Sequence, residues 1–183
     1  MLLYINACVR TESRTNRIAR ALIEKLGGNE TQIKLSEAGF SPLSEEVLKK
    51  RTALADIGDF SDPMFDAAKQ FASADTVVIA APYWDWSFPA ALKVYFENIY
   101  VNGIVSRYDE NGIPKGLCKA KKLYYVTTAG GPYLPDFSYG WVKAMAENAF
   151  GIKETKLIAA EMLDVEGFDA ERIVEETVKG LRV

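Results

Sequence analysis

A chain of 183 residues is long enough for one domain with a sizeable core, and 22 Lys and Arg against 25 Asp and Glu leave it at a net −3, without the basic face that nucleic-acid phosphates require. No apolar stretch approaches the ~20 residues of a membrane span, and nothing basic precedes Leu2, so the N-terminus reads as a strand rather than a signal peptide. There is no histidine, which removes Ser-His-Asp and Cys-His dyads and the usual zinc sites. Cys8 and Cys118 make no disulfide framework, so a reduced, cytoplasmic protein with no metal site is expected.

The chain begins with a short apolar run, Leu2 to Ala7, which reads as a strand. A polar loop, Cys8 to Ser13, follows, and helical spacing starts near Arg14 with Ile18, Ala21, Leu22 and Leu26. Thr31 to Leu35 reads as a second strand. Ser44 to Ala55 reads as a helix with Ser44 as N-cap and Val47, Leu48 and Leu54 on one face. Pro63 to Ala72 is a further helix with proline at its first position. The continuous apolar run Thr76 to Ala81 predicts a strand buried on both faces. After the loop Pro82 to Pro89 comes an amphipathic helix, Ala90 to Tyr100. The segment 102–120 is turn-rich, with a hairpin signal at Asp109-Glu110-Asn111-Gly112. Leu123 to Thr127 is another buried strand, Ala129 to Tyr139 a glycine-, proline- and aromatic-rich loop, and Gly140 to Phe150 a helix. Thr155 to Ala160 is a fifth strand and Ala170 to Leu181 the last helix.

Strands and helices thus alternate five times over residues 1–183, which predicts one α/β doubly wound parallel sheet with helices on both faces. In such sheets the ligand lies beyond the carboxyl ends of the strands, at the switch point. Three loops meet there. The first, with the helix start that follows, supplies Arg10, Ser13, Arg14, Thr15, Asn16 and Arg17 at a helix N-terminus, the arrangement that cradles a phosphate; alternatively, Ser13 only caps the helix and the arginines are solvated. The second carries Pro82, Tyr83, Trp84, Asp85 and Trp86. The third carries Gly130-Gly131 and then Tyr133. Anion donors at one end and flat apolar surface at the other suit a ligand with a phosphate tail and an aromatic ring system, and flavin mononucleotide (FMN) meets that description. The other reading of the aromatics is a cover for a core edge, or a dimer contact.

These motifs resemble those of the flavodoxin-like-fold FMN-dependent NAD(P)H:quinone oxidoreductase and azoreductase family. The resemblance rests on Arg10 with Ser13-Arg14-Thr15-Asn16, and on Pro82-Tyr83-Trp84-Asp85-Trp86 followed by Pro89 and Leu92-Lys93. It rests also on Arg107-Tyr108 with Gly112 to Leu117, and on Thr127-Thr128-Ala129-Gly130-Gly131-Pro132-Tyr133, in that order along nearly the whole chain. It implies strand order 2-1-3-4-5 and a homodimer with its active site at the interface. It also implies two-electron transfer from NADH or NADPH, through FMN, to a quinone or azo compound. Ser13, Thr15 and Asn16 would hold the phosphate, Tyr83 to Trp86 would run along the ring system, and Thr127, Thr128, Gly130, Gly131 and Tyr133 would lie near its other side. No side chain is expected to be catalytic, because the flavin carries the chemistry. The chain departs from the family pattern at Ala7, where a serine is common, at Asp85, in place of asparagine, and in its tryptophans. A carboxylate beside reduced flavin would disfavour its anionic form.

Rival readings remain. Cys8, five residues and then Arg14-Thr15 resembles the loop of the low-molecular-weight tyrosine phosphatases, with Cys8 as thiolate nucleophile and Arg14 as anion holder. Glu12 inside that loop, and an Asp-Pro pair only at Asp62-Pro63, weigh against it. A flavodoxin-type electron carrier and a flavin-free interaction domain would each be built on the same fold.

Overall fold

The computed structural model describes residues 1–183. In chain order the elements are β1 (Leu2–Asn6), α1 (Arg14–Leu26), β2 (Glu30–Lys34), α2 (Glu45–Asp56), α3 (Asp66–Ser73), β3 (Thr76–Ala80), α4 (Ala90–Ile99), β4 (Ser106–Tyr108), β5 (Pro114–Gly116), β6 (Lys122–Thr128), α5 (Tyr139–Met145), β7 (Glu154–Ala160) and α6 (Ala170–Gly180). Five strands form one parallel sheet in the order β2-β1-β3-β6-β7. Counting only these main strands, that is the expected 2-1-3-4-5. β4 and β5 pair separately as an antiparallel hairpin around Asp109 to Gly112, where the turn signal placed it.

The central strands are apolar at successive positions because each face has a core of its own. Leu3, Ile5, Val77, Ile79, Leu123 and Tyr125 enter a cluster with Phe71 of α3, Phe96 of α4 and Val142 of α5. The alternate residues Leu2, Tyr4, Val78, Ala80, Tyr124 and Val126 enter a second cluster with Ile18 and Leu22 of α1 and Val174 of α6. A period of two thus sends each strand into both cores.

Three expectations need correction. The helix expected from Pro63 begins as a 3-10 turn, Pro63–Phe65, because the Asp62 carboxylate accepts from the Met64 N–H at 2.9 Å and the Asp62 carbonyl from the Phe65 N–H. The helix expected at Gly140 to Phe150 is α5 followed by a π turn, Ala146–Phe150, which ends at Gly151 with φ +78°. On α2, Leu54 packs against the core, but Val47 and Leu48 stay exposed and the helix buries none of its residues fully.

The π turn is held where the hairpin meets it. The Phe150 ring lies 4.9 Å from Phe71 and stacks on Phe96 at 6.0 Å. Its backbone lies directly under Gly116, where an added Cβ would sit 2.0 Å from the Phe150 carbonyl carbon and 2.1 Å from the Gly151 nitrogen. Both obstacles are backbone, so no side chain can swing away. Gly116→Ala should therefore lower the free energy of unfolding by about 1–3 kcal/mol or more, read as a shift of the urea midpoint. A midpoint equal to the parent's would show that the hairpin does not bear on the turn.

Candidate functional site

The loop after β1 is set by three side chains. The Asn6 Oδ1 accepts from the Cys8 N–H at 2.9 Å. The Asn16 Oδ1 accepts from the Tyr4 hydroxyl at 2.6 Å and from the Asn6 Nδ2 at 3.4 Å. Ser13 is the N-cap of α1, and its Oγ accepts from the Asn16 N–H at 3.2 Å. The N–H groups of Arg14 and Thr15 belong to the first helical turn, where no carbonyl four residues back is available to them. They are free for an anion, with the positive end of the helix dipole behind them.

Beyond the carboxyl ends of β1, β3 and β6 lies a cleft of about 740 Å³. One wall runs from Cys8 to Thr15 and includes Arg17. The second is Pro82, Tyr83 and Trp84, and the third is Thr128, Ala129 and Gly130. The fourth wall, from the β7–α6 segment and α6, is Leu163, Asp164 and Glu171. The first and third walls are tied together by the Thr15 and Thr128 hydroxyls, 2.6 Å apart.

Of the residues singled out from the sequence as ligand-binding, Arg10, Ser13, Arg14, Thr15, Arg17, Pro82, Tyr83, Trp84, Thr128 and Gly130 line this cleft. Six do not. Asn16 turns its amide onto Tyr4 and Asn6 and works as a latch on β1. Thr127 is buried, because adjacent strand residues face opposite ways and Thr128 takes the cleft side. Gly131 adjoins the cleft, and its carbonyl accepts from the Met162 N–H at 3.1 Å. Tyr133 stands behind Tyr83, edge to face at 4.9 Å, with its hydroxyl 2.8 Å from that of Ser138. Asp85 and Trp86 form the apex of a two-residue turn, closed by reciprocal backbone bonds of 2.9 and 2.8 Å between Trp84 and Ser87.

That turn is strained. Asp85 has φ +47° and Trp86 φ +67°, the left-handed region that a type I′ turn requires at both central residues and that glycine or asparagine usually fills. Such conformations cost roughly 1–3 kcal/mol each and persist only where the surroundings hold them. Here the holder is the loop after β6. Ser87 Oγ donates to the Phe137 carbonyl at 2.9 Å, and the Trp86 ring meets the Phe137 ring at 6.4 Å. Trp86 is 64% exposed and Phe137 60%, so the pair presents apolar surface outside the cleft.

The cleft's charges are partly engaged with each other. Arg14 Nη1 lies 3.2 Å from Asp164 Oδ1, Arg14 Nε 3.6 Å from Glu171 Oε1, and Arg17 Nη1 2.8 Å from Glu171 Oε2. The Arg17 guanidinium holds the Glu171 carboxyl below its usual range. Arg10 has no carboxylate partner within 4 Å. Asp164 and Glu171 were invisible to a reading of local motifs, since they lie 150 and 154 residues from the arginines they face and carry no signal of their own.

Cys8 is a poor nucleophile. It is 2% exposed, and burial pushes its thiol up, an effect only partly offset by the Ser13 and Thr15 hydroxyls and the Asn16 N–H nearby. Asp62, the acid the phosphatase reading would need, caps the 3-10 turn and pairs with Lys50 at 2.6 Å, outside the cleft.

A family model described as flavodoxin-like fold matches residues 1–182. An FMN-dependent NADH:quinone oxidoreductase 2 of Clostridium acetobutylicum is 36% identical over 97% of this chain and 94% of its own length. An FMN-dependent NADH:quinone oxidoreductase of Coprothermobacter proteolyticus is 35% identical over the same shares. The crystal structure of an FMN-dependent NADH-azoreductase from Bacillus anthracis in complex with FMN superposes with a TM-score of 0.79 at 25% identity, covering 97% of this chain and 93% of that one.

With Cys8 buried and protonated, iodoacetamide at pH 8 should leave it unmodified in the native protein and alkylate it only after unfolding. Mass spectrometry of the Cys8 peptide reads this directly. Native-state alkylation at the rate of a free thiol, together with hydrolysis of an aryl phosphate, would restore the phosphatase reading.

Proposed function

This chain belongs to the flavodoxin-like-fold family, and on that footing we propose that it is an FMN-dependent NADH:quinone oxidoreductase. The observation that carries the proposal is the cleft itself, whose two ends differ in chemistry as the two ends of FMN do. One end offers the free N–H groups of Arg14 and Thr15, the Ser13 side and the unpaired Arg10, a donor set for a phosphomonoester. The other offers Tyr83 and Trp84 as apolar walls and the Gly130-Gly131 backbone, with open space where a Gly131 side chain would be. Behind the cleft, the Tyr83 ring is braced edge to face by Tyr133 at 4.9 Å. The relatives from Clostridium acetobutylicum and Coprothermobacter proteolyticus carry this activity by name and are matched along nearly their whole length.

When bound, FMN supplies two-electron chemistry, accepting a hydride equivalent from a reduced nicotinamide and releasing two electrons to a quinone or an azo compound. The protein binds, orients and shields. Arg10, Ser13 and the first turn of α1 hold the phosphate and so fix the reach of the ring system. Tyr83 and Trp84 exclude water from one side of it. Trp86 and Phe137, outside the cleft, wall the space in which donor and acceptor alternate. Asp85, at the turn apex, places a carboxylate near that space and sets the polarity of its rim. We extend the proposal to a cytoplasmic homodimer built from a single 183-residue domain, supported by the apolar Val47 and Leu48 that α2 leaves exposed and by the resemblance of its motifs. No helix is long and apolar enough to cross a membrane. NADH is the expected donor and NADPH the competing one.

The purified protein should be yellow, with flavin absorbance, and should oxidise NADH with menadione; protein that stays colourless after incubation with FMN would overturn the proposal. Arg10→Ala should raise the Kd for FMN about ten- to a hundredfold, as expected for one lost charge-assisted bond, and leave riboflavin binding alone. Isothermal titration into the apo-protein measures both.

Trp86→Ala removes one member of an exposed aromatic pair worth roughly 0.5–1.5 kcal/mol beyond area burial. At saturating FMN its menadione turnover should fall by a larger factor than its FMN affinity. Parent-like turnover at every quinone concentration would make Trp86 a cover only.

A further inference from the structure

The two arginines nearest the phosphate donors are not free. Arg14 is gripped by Asp164 and Glu171, and Arg17 by Glu171, and all four side chains line the same cleft. The grip is placed by the fold. The N–H groups of Met162, Leu163 and Asp164 donate to the carbonyls of Gly131, Ala129 and Gly130, so the segment after β7 is zipped onto the glycine loop. An added Cβ at Gly130 would lie 2.5 Å from Asp164 Oδ2, which shows how closely that carboxylate overhangs the loop. Glu171 is equally fixed in place, in the first turn of α6, whose N-cap Asp169 accepts from the Arg172 N–H at 3.0 Å.

The grip is also exchangeable. The side chains of Arg14, Asp164 and Glu171 are 40%, 75% and 60% exposed, and pairs at such exposure are weak because water and salt screen them. A phosphomonoester seated on the Arg14 and Thr15 N–H groups would lie on the same helix turn as the Arg14 guanidinium. It carries more charge than a carboxylate and can accept a bidentate guanidinium.

We propose that Asp164 and Glu171 are specificity-determining residues that compete with the phosphate of FMN for Arg14. The inference rests on the FMN reading above. Asp164 and Glu171 hold the guanidinium against the fourth wall. Binding transfers it to the phosphate, and the interaction lost to the carboxylates is subtracted from the affinity gained. The clamp therefore loosens FMN selectively, in proportion to the charge of its tail, and leaves the uncharged riboflavin unaffected.

The test is a thermodynamic cycle on the full chain, with FMN and riboflavin Kd values from fluorescence titration. The isosteric double variant Asp164→Asn with Glu171→Gln should bind FMN about two- to tenfold more tightly than the parent, with riboflavin unchanged. In an Arg14→Met background the same two changes should give no gain. Melting of each apo-protein checks that the variants are folded. If the acids were only a structural strap, FMN and riboflavin would both weaken, and the proposal would fail. If the gain persisted without Arg14, the carboxylates would be repelling the phosphate directly, and the proposal would fail in that form. A parent that binds no FMN overturns this inference together with the reading beneath it. A parent that binds FMN and a double variant that binds it no better overturn this inference alone.

Discussion

The geometry of the cleft depends on one amide. Asn16 sits in the first turn of α1 and reaches back to β1, where its Oδ1 takes the Tyr4 hydroxyl and the Asn6 side chain. Asn6 in turn holds the Cys8 N–H. Tyr4 is buried, and burial raises its hydroxyl above the ordinary range, so it stays a neutral donor and needs an acceptor. Asn16 is that acceptor. The short loop between Cys8 and Ser13 is therefore pinned at both ends by the same network. A loop that swung away from the cleft would carry Asn16 with it and strand a buried hydroxyl. The Thr15 and Thr128 hydroxyls then join this loop to the end of β6.

The parts of the fold that were legible from the residues are those encoded locally. Continuous apolar runs gave away the buried strands, Asp109 to Gly112 the hairpin, and Ser13, Ser44 and Pro63 the starts of helical segments. Each depends on spacing, capping or turn chemistry within a few residues. The site was half legible for the same reason. Hydroxyls and arginines at a helix start, and aromatics in a loop, can be read in place, and Arg10, Ser13, Arg14, Thr15, Arg17, Tyr83 and Trp84 line the cleft.

What was not legible depends on tertiary context. Nothing near Ala146 announces a π turn, which accompanies the close packing of Gly116 on Phe150. Asn16 looks like a phosphate ligand by position, and its Oδ1 is taken by a tyrosine 12 residues upstream in a neighbouring element, a contact no local motif announces. Trp84 and Trp86 are indistinguishable as letters, and only the turn between them sends one to the cleft and the other to the rim. Asp164 and Glu171 take their meaning wholly from partners across the sheet.

The turn at Asp85 and Trp86 has a consequence for motion. Two non-glycine residues in the left-handed region make the isolated loop a high-energy shape, and its restraint comes from Ser87 and Trp86 acting on Phe137. Strain of this kind is released the moment the restraint is lost. The loops after β3 and β6 are therefore coupled at Phe137: a change that removes the Ser87 hydrogen bond or the Trp86 ring contact frees the Asp85–Trp86 turn to relax and deprives the loop after β6 of its partner at the same point.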